Sequence, residues 1–307
     1  MHSDHPILQL DHLDTLWFQV AGTLCNLRCN HCFISCSPEN HTLELMSFDQ
    51  ILPYLAEAIQ IGVKEFYFTG GEPFINPDLP KILEATLRIG PATVLTNATL
   101  FNAELVKELA AMRDSSKYSL ELRVSIDGFS PETNDPIRGP GTFKRAMRGI
   151  KLLLDEGFLP IITAMRSWPI EQDEAQLYGF KNSLANVGYR YPRIKLLPSL
   201  RIGQEALRDR GYSEHDYITT SMMVGYDCNQ LMCSNSRIVS TRGVHVCPIL
   251  VDQPNSILGE RISTARQAFE LRHQACMTCY QYGALCSNAS SAATSFEKTR
   301  LSRPRSI

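Results

Sequence analysis

Short apolar, β-branched runs alternate with amphipathic segments over the first two hundred residues of the chain. A segment of helical periodicity separates most of these runs from the next. Three helix starts are indicated: Ser47 and Asn102 are predicted N-caps, and Thr142 is predicted to cap the helix that reaches Glu156. Each run has the length and composition of a buried strand: LWFQV, EFYF, ATVL, LELRVSI, FLPIITA and RIKLLP.

This alternation makes six β-α units, which predicts a parallel sheet with helices outside it. Six units are fewer than an eightfold barrel needs, so we expect an α/β fold, a partial (β/α)6 TIM-like barrel. In such folds the ligand lies at the carboxyl ends of the strands. The motifs that follow strands should therefore line one mouth, namely a cysteine loop, TGGEP, TNAT, SIDG and LLP. Phe74, Trp168 and Tyr191 are expected there as substrate-pocket side chains.

The alternation fades near residue 200, and this predicts a division of the chain. We expect an N-terminal extension over 1–14 and the partial barrel over 15–200. A small cysteine-rich domain with its linker is expected over 201–286, followed by a basic, Ser-rich tail over 287–307.

Composition narrows the function classes. The 307 residues are 44% hydrophobic with a formal net charge of -2, so nothing points to nucleic acid or an anionic membrane as the partner. No apolar run approaches the roughly 18 residues of a membrane span, and the N-terminus lacks the features of a secretion signal. We therefore expect a cytoplasmic protein. Disulfides are rare in that compartment, so its ten cysteines require another explanation.

The cysteines fall into two sets, with none between Cys36 and Cys228. Spacings of two or three residues suit thiolates that converge on a metal. Cys25, Cys29 and Cys32 supply three thiolates from one loop, which leaves one iron of a four-iron cluster open to an exogenous chelator. Zinc is the alternative, with Cys36 or His31 as the fourth ligand, and the spacing favours the iron–sulfur cluster.

The segment CNLRCNHC resembles the CX3CX2C signature of the radical S-adenosylmethionine (radical SAM) enzymes, and TGGEP is similar to that family's glycine-rich motif. The family usually has an aromatic residue where this chain has His31. The resemblance implies a [4Fe-4S] cluster held by Cys25, Cys29 and Cys32, with SAM chelating the open iron. An electron from the cluster then cleaves SAM to a 5′-deoxyadenosyl radical, which abstracts hydrogen from the substrate. A reducing partner of the flavodoxin or ferredoxin type is implied as well.

The resemblance also implies the residues that bind SAM. Gly70 and Gly71 would allow close backbone approach, Glu72 would accept from the ammonium group, and His31 would lie near the adenine. Ser125 would bond the carboxylate or ribose, and Arg138 would pair with the carboxylate. A structural role for Asp127 in a turn or cap and a solvated Arg138 stay open. The remaining implied cofactor-binding residues are Asn97, Asp127 and Leu197.

The second set resembles the SPASM/twitch arrangement, because Cys233-x9-Gly243-x3-Cys247 precedes Cys276-x2-Cys279. It implies one auxiliary iron–sulfur cluster, a [4Fe-4S] cluster, with these four thiolates as ligands. Three thiols stay unassigned. Cys228 and Cys286 are candidate hydrogen-atom donors or alternative ligands, an inert buried thiol being equally open for each, and Cys36 has no assigned role.

Three functions compete. The first is an enzyme that abstracts hydrogen from an unactivated C–H bond of a natural-product small molecule or ribosomal peptide, in dehydrogenation, epimerisation or cross-linking. The first strand begins near residue 16, which favours a small molecule or a peptide delivered by a partner. The second is a maturase of the sulfatase-activating type that modifies a Ser or Cys of a partner protein. The third is a zinc-stabilised binding protein without catalysis.

Overall fold

The computed structural model describes residues 4–283 and 285 of the chain. Within these residues the strands are β1 (Ile7–Leu8), β2 (Thr15–Gln19), β3 (Glu65–Thr69), β4 (Ala92–Thr96), β5 (Leu120–Ser125), β6 (Ile161–Met165), β7 (Arg193–Leu197), β8 (Ser236–Ser240), β9 (Gly243–His245), β10 (Ile257–Gly259) and β11 (Phe269–Glu270). The helices are α1 (Phe48–Ile61), α2 (Leu79–Thr86), α3 (Ala103–Ser115), α4 (Pro131–Arg138), α5 (Thr142–Asp155), α6 (Asp173–Ala185), α7 (Gly203–Arg208) and α8 (Ala275–Tyr282). None of these helices is both long enough and apolar enough to cross a membrane.

One nine-stranded sheet organises the molecule, in the order β10-β9-β8-β2-β3-β4-β5-β6-β7. Strands β2 to β7 are parallel neighbours in chain order, which confirms the predicted α/β partial barrel of six units. The sequence did not predict that β8 extends this sheet, parallel to β2, with β9 and β10 antiparallel beyond it. The sheet therefore continues into the segment expected to form a separate domain. A second, two-stranded sheet pairs β1 with β11.

Alternation along the strands separates two packing faces. Leu16 and Phe18 of β2, with Phe66 of β3, are buried in the core that packs under the helices. Trp17 and Tyr67 lie on the opposite face, where their rings stack at 4.3 Å and pack with residues of the cysteine loop and the C-terminal segment. Because side chains alternate across a strand, the inner face is available to line a site.

Helix starts agree with the sequence prediction in two cases of three. Ser47 forms a capping box on α1, and Asn102 accepts the backbone N–H of Leu105 at the start of α3. The predicted capping role of Thr142 is wrong, because Thr142 is the first helical residue of α5. Asp135, a residue within the unpredicted helix α4, takes the capping role: its carboxylate accepts the N–H of Phe143 at 2.9 Å.

Candidate active site

The loop after β2 carries the first three cysteines and is closed on itself by backbone pairing. Leu24 forms an isolated parallel bridge with Ser37, and the Cys25 N–H donates to the Ser37 oxygen at 3.1 Å. The Cys32 oxygen accepts the N–H of Gln204 at 3.0 Å, at the start of α7. The loop is thus held at both ends, so its thiols have fixed positions.

The three thiols share one cavity of about 240 Å³. The cavity lies where the carboxyl ends of the parallel strands meet, as the fold class requires. Most sequence-predicted site residues contribute to its lining, which includes Cys25, Cys29, His31, Cys32, Cys36, Gly70, Gly71, Asn97, Ser125, Asp127, Arg138 and Leu197.

The two glycines after β3 allow the glycine-rich turn to lie directly on the cysteine loop. Gly70 has φ +140°, and a Cβ there would lie 2.8 Å from Ala21. A Cβ on Gly71 would lie only 2.0 Å from the Leu24 oxygen and 2.8 Å from the Cβ of Cys25. Any other residue would displace the loop that carries the thiols, so both glycines are required by close approach.

Glu72 is fully buried and lies outside the cavity lining. Its carboxylate accepts the Thr96 hydroxyl at 2.7 Å, the Asn97 N–H at 2.8 Å and the Phe74 N–H at 3.3 Å. Burial raises the pKa of Glu72 to about 7, against the opposing effect of these donors. Glu72 therefore fixes the turn after β4, and this geometry does not support its expected contact with an ammonium group.

Asn97 and Ser125 line the cavity from the ends of two strands. The Asn97 amide nitrogen donates to the Asn26 oxygen at 2.9 Å and lies 3.9 Å from the Cys25 sulfur, which ties the turn after β4 to the cysteine loop. The Ser125 hydroxyl lies 3.1 Å from the Thr163 hydroxyl across β5 and β6. Both side chains thus present polar atoms beside the thiols.

Asp127 is the centre of a buried ionic group. Its Oδ2 lies 2.5 Å from His31 Nε2 and accepts from Arg138 Nε at 2.5 Å, while Oδ1 accepts the Met165 N–H at 2.7 Å. Burial alone would raise the pKa of Asp127, but Arg138 and His31 outweigh it and hold the pKa below its ordinary value. The solvated alternative for Arg138 is wrong, because its side chain is only 11% exposed and paired.

This arrangement leaves polar atoms facing the cavity. His31 Nδ1 is buried without a hydrogen-bond partner, although His31 lines the cavity. Among the described residues, the terminal nitrogens of Arg138 have no hydrogen-bonded partner either, because only its Nε donates to Asp127. His31 Nδ1 and the terminal nitrogens of Arg138 are thus left to bond a ligand in the cavity beside the thiols.

Cys36, which had no assigned role, lies next to Cys32. The Cys36 N–H donates to the Cys32 sulfur at 3.2 Å, from a turn in which Ser35 has φ +53°. A hydrogen bond from the Cys36 thiol lowers the pKa of Cys32 to about 6. Burial instead raises the pKa of Cys25 to about 12 and that of Cys29 to about 11. Metal coordination would deprotonate these thiols outright.

The donor set fits an iron–sulfur cluster with SAM beside it. Three thiols, the two glycines of the turn after β3 and the unpartnered nitrogens of His31 and Arg138 surround one cavity. Within the described part of the chain, no three Cys, His, Asp or Glu side chains converge closely enough to hold a single metal ion. The zinc alternative is tested below by the metal content and colour of the purified protein.

The second cysteine set is brought together around β8 and α8. Cys233 precedes β8, Cys247 follows β9, and Cys276 and Cys279 lie in α8. Cys247, Cys276 and Cys279 belong to one buried cluster, against which Cys233 packs. Burial raises the pKa of Cys276, and the charges of Cys233 and Cys247 raise it further. Cys247 immediately precedes Pro248 and Ile249, and both of these line the cavity.

The structure gives the two candidate hydrogen donors different outcomes. Cys228 does not line the cavity; its thiol lies 3.9 Å from the Tyr226 oxygen and near Cys233. Its hydrogen-donor role stays a prediction without geometric support. Cys286 lies outside the described residues.

The prediction that Phe74, Trp168 and Tyr191 form the substrate pocket is wrong, because none of the three lines the cavity. The Phe74 ring packs on Phe101, Trp168 donates to Asp173, and Tyr191 is 90% exposed.

Sequence reasoning missed several lining residues, among them Gln19, Arg123 and Thr163. A signal for Arg123 was present. Alternation in LELRVSI places Arg123 on the same strand face as Ser125, so the face that carries the predicted ligand-binding serine also carries this buried arginine.

Comparison with known proteins places the barrel in one family. The model of the radical SAM superfamily matches residues 20–175. An AdoMet-dependent heme synthase of Methanosarcina barkeri is 36% identical over 144 residues, which are 46% of this chain and 39% of that protein. The antilisterial bacteriocin subtilosin biosynthesis protein AlbA of Bacillus subtilis is 33% identical over 135 residues, 43% of this chain and 29% of AlbA. The chain thus spans well under half the length of these curated relatives.

Solved structures share the fold at low identity. Streptococcus suis SuiB bound to precursor peptide SuiA superposes with a TM-score of 0.63 at 14% identity, over 84% of this chain and 66% of SuiB. Native anSMEcpe with bound AdoMet and Cp18Cys peptide superposes with a TM-score of 0.63 at 15% identity, over 93% of this chain and 95% of that one.

Proposed function

This chain belongs to the radical SAM superfamily, and from that premise we propose that it modifies a peptide substrate by abstracting hydrogen from an unactivated C–H bond. When bound, the cluster supplies the electron that cleaves SAM and so yields the 5′-deoxyadenosyl radical. The protein itself binds, orients and excludes water.

One observation carries the proposal: the three spaced thiols, the glycine turn and the His31–Asp127–Arg138 group all face one cavity. Cys25, Cys29 and Cys32 would hold three irons of a [4Fe-4S] cluster. The terminal nitrogens of Arg138 and the Ser125 hydroxyl would bind the SAM carboxylate, and His31 Nδ1 would face the adenine. Gly70 and Gly71 would let backbone atoms approach the amino group, while Asn97 and Leu197 would border SAM.

Asp127 has a positioning role in this proposal. Because its carboxylate bonds both His31 Nε2 and Arg138 Nε, it fixes the ring and the guanidinium relative to the thiols. The cavity is lined on another side by apolar residues of the sheet and the C-terminal segment, including Leu95, Leu200 and Ile249. Such a lining would exclude water from the reacting C–H bond.

We propose that the second set holds one auxiliary [4Fe-4S] cluster in a SPASM/twitch-like segment. Its support is that Cys233, Cys247, Cys276 and Cys279 pack in one cluster, and that Pro248, the residue after Cys247, lines the cavity. A cluster so near the substrate could accept the second electron of a net oxidation. Dehydrogenation or cross-linking then fits better than epimerisation, which needs no electron acceptor.

A peptide is favoured by the similar proteins. AlbA takes part in bacteriocin biosynthesis, and the SuiB and anSMEcpe structures contain peptides. The heme synthase relative keeps a small-molecule substrate open. A second candidate is maturation of a Ser or Cys in a partner protein. The fold likeness to anSMEcpe, whose structure contains a Cp18Cys peptide, extends over nearly the whole length of that chain. We further propose a cytoplasmic location, where a flavodoxin- or ferredoxin-like reductant would serve and thiols stay reduced.

The test is anaerobic reconstitution with iron and sulfide, followed by SAM and dithionite. We expect a brown protein that forms 5′-deoxyadenosine, and a Cys25/Cys29/Cys32→Ala variant that forms none. Colourless protein containing zinc, or no 5′-deoxyadenosine from the wild type, would overturn the proposal.

Candidate substrates are then compared by deuterium transfer. Peptides with deuterated side chains are incubated with the reconstituted enzyme. Deuterated small molecules whose biosynthetic genes neighbour the gene for this chain are incubated with it separately. Deuterium in 5′-deoxyadenosine from a peptide supports the proposed class. Turnover of a free small molecule alone would contradict it, and turnover only on a folded protein would favour the maturase.

A further inference from the structure

Arg237 places a buried guanidinium beside the second cysteine set. It lies on β8 and is 1% exposed. Its Nε donates to the Ala265 oxygen at 2.9 Å, and Nη1 donates to the Cys233 and Ser236 oxygens at 2.9 and 2.8 Å. Longer bonds of 3.4 Å reach the Val246 and Gln267 oxygens. Five backbone carbonyls thus hold the guanidinium in one position.

All of these acceptors are neutral, so the hydrogen bonds leave the charge of Arg237 uncompensated. Among the described residues no carboxylate forms an ion pair with it. Its Nη1 bonds to the backbone oxygens of Cys233 and of Val246, the residue before Cys247, and so the guanidinium lies at the backbone of both cysteines. The Cys233 and Cys247 thiols are also the ionisable groups whose charges act on it. A buried cation without a counter-charge is strongly unfavourable, whereas arginine stays protonated in proteins. The missing negative charge therefore has to come from the cysteines.

We propose that Arg237 is the charge-compensating positioning residue of the second cysteine site, matched to an anionic metal–thiolate centre on Cys233, Cys247 and Cys276. The inference rests on the proposed auxiliary cluster. Metal coordination turns buried thiols into thiolates, and the carbonyl bonds keep the cation next to them. The same cation stabilises the extra electron of a reduced cluster, which would make the site a better electron acceptor.

The test isolates the second site and varies only the charge. In the Cys25/Cys29/Cys32→Ala background, the remaining iron belongs to the second set. Arg237→Met removes the charge, Arg237→Lys retains it, and Arg242→Met is the matched control because Arg242 is an exposed arginine of the same hairpin. Iron and sulfide content and the reduction midpoint, followed by electron paramagnetic resonance, are measured for each.

We expect Arg237→Met to shift the midpoint to a more negative value, so that the ratio of reduced to oxidised cluster at a fixed potential falls at least tenfold. For one electron that is a shift of about 59 mV. Arg237→Lys should recover most of the shift, and Arg242→Met should leave the midpoint unchanged. An unchanged midpoint in Arg237→Met, or an equal shift in Arg237→Lys, would overturn the charge role.

Two further outcomes keep the test decisive. If Arg237→Met does not fold, Arg237→Gln retains polar donors to the carbonyls without the charge and is titrated instead; a midpoint equal to that of the background chain overturns the proposal. If the background chain itself holds no iron, the auxiliary cluster fails and this inference fails with it. Iron with charge-independent midpoints would refute the inference alone.

Discussion

Asp127→Asn tests whether the buried ionic group supports the site. The substitution keeps the shape of the side chain but removes the charge that pairs with Arg138 and His31 at 2.5 Å. Both partners are nearly buried, so solvent screening is weak, and removal of one member of such a group costs about 3–5 kcal/mol of unfolding free energy. The decrease in unfolding free energy should come from the lost ion pairs and not from altered packing, because asparagine has nearly the same volume as aspartate.

The assay is urea unfolding of the iron-free protein at pH 7 under anaerobic conditions, followed by far-ultraviolet circular dichroism. The matched control is Asp155→Asn, which breaks an exposed pair with Lys151 four residues earlier in α5. Pairs of that kind contribute about 0.3–0.5 kcal/mol. A loss below about 1 kcal/mol for Asp127→Asn, close to the control, would refute the reasoning.

The pH dependence gives an independent check on the same residue. The pKa of Asp127 lies below its ordinary value in the folded state, so its contribution to stability is fully present above about pH 4, the unfolded pKa. That contribution is lost as the pH falls from there through the folded pKa. The wild type should therefore lose stability below about pH 4 more steeply than Asp127→Asn; parallel curves would contradict the assignment.

Three other substitutions extend the account. Burial raises the pKa of Glu72 from 4.5 to about 7, so between these pH values the folded state binds a proton that the unfolded state has released. The free energy of unfolding of the wild type, measured with urea, should therefore fall by about 3 kcal/mol as the pH rises from about 4.5 to 7. The free energy of unfolding of Glu72→Gln should stay constant over that range. Gly71→Ala should lose most of its iron after reconstitution, because the new Cβ would lie 2.0 Å from the Leu24 oxygen. Gly211→Ala, whose Cβ would meet nothing closer than 3.7 Å, should retain its iron; equal iron contents would refute the packing argument. Arg138→Met should weaken SAM binding about tenfold, or about 1.4 kcal/mol, in equilibrium dialysis, and unchanged affinity would exclude Arg138 as a SAM ligand.

The sequence was most informative where local chemistry decides the outcome. Periodicity located the six parallel strands β2 to β7, though not β8, and Ser47 and Asn102 cap the helices that they were expected to cap. Because motifs that follow parallel strands must meet at one edge, the sequence also predicted that the thiols, the glycine turn and Ser125 share a cavity.

The sequence was least informative where distant residues decide the outcome. Helix α4 contains Pro131 and Pro136, which concealed it, and its Asp135 replaced Thr142 as the cap of α5. Glu72 was expected to accept from the SAM ammonium group, and the sequence did not predict that Thr96 and Asn97 donate to its carboxylate. Side-chain partners of this kind depend on tertiary packing, which spacing along the chain does not reveal.

We propose that Cys25, Cys29 and Cys32 hold a cluster with one iron open to SAM. The electron paramagnetic resonance spectrum of the dithionite-reduced Cys233/Cys247/Cys276/Cys279→Ala variant, recorded with and without SAM, tests this proposal. We expect a reduced-cluster signal that changes shape when SAM binds the open iron. A signal that SAM leaves unchanged, or a variant that holds no iron, would contradict it.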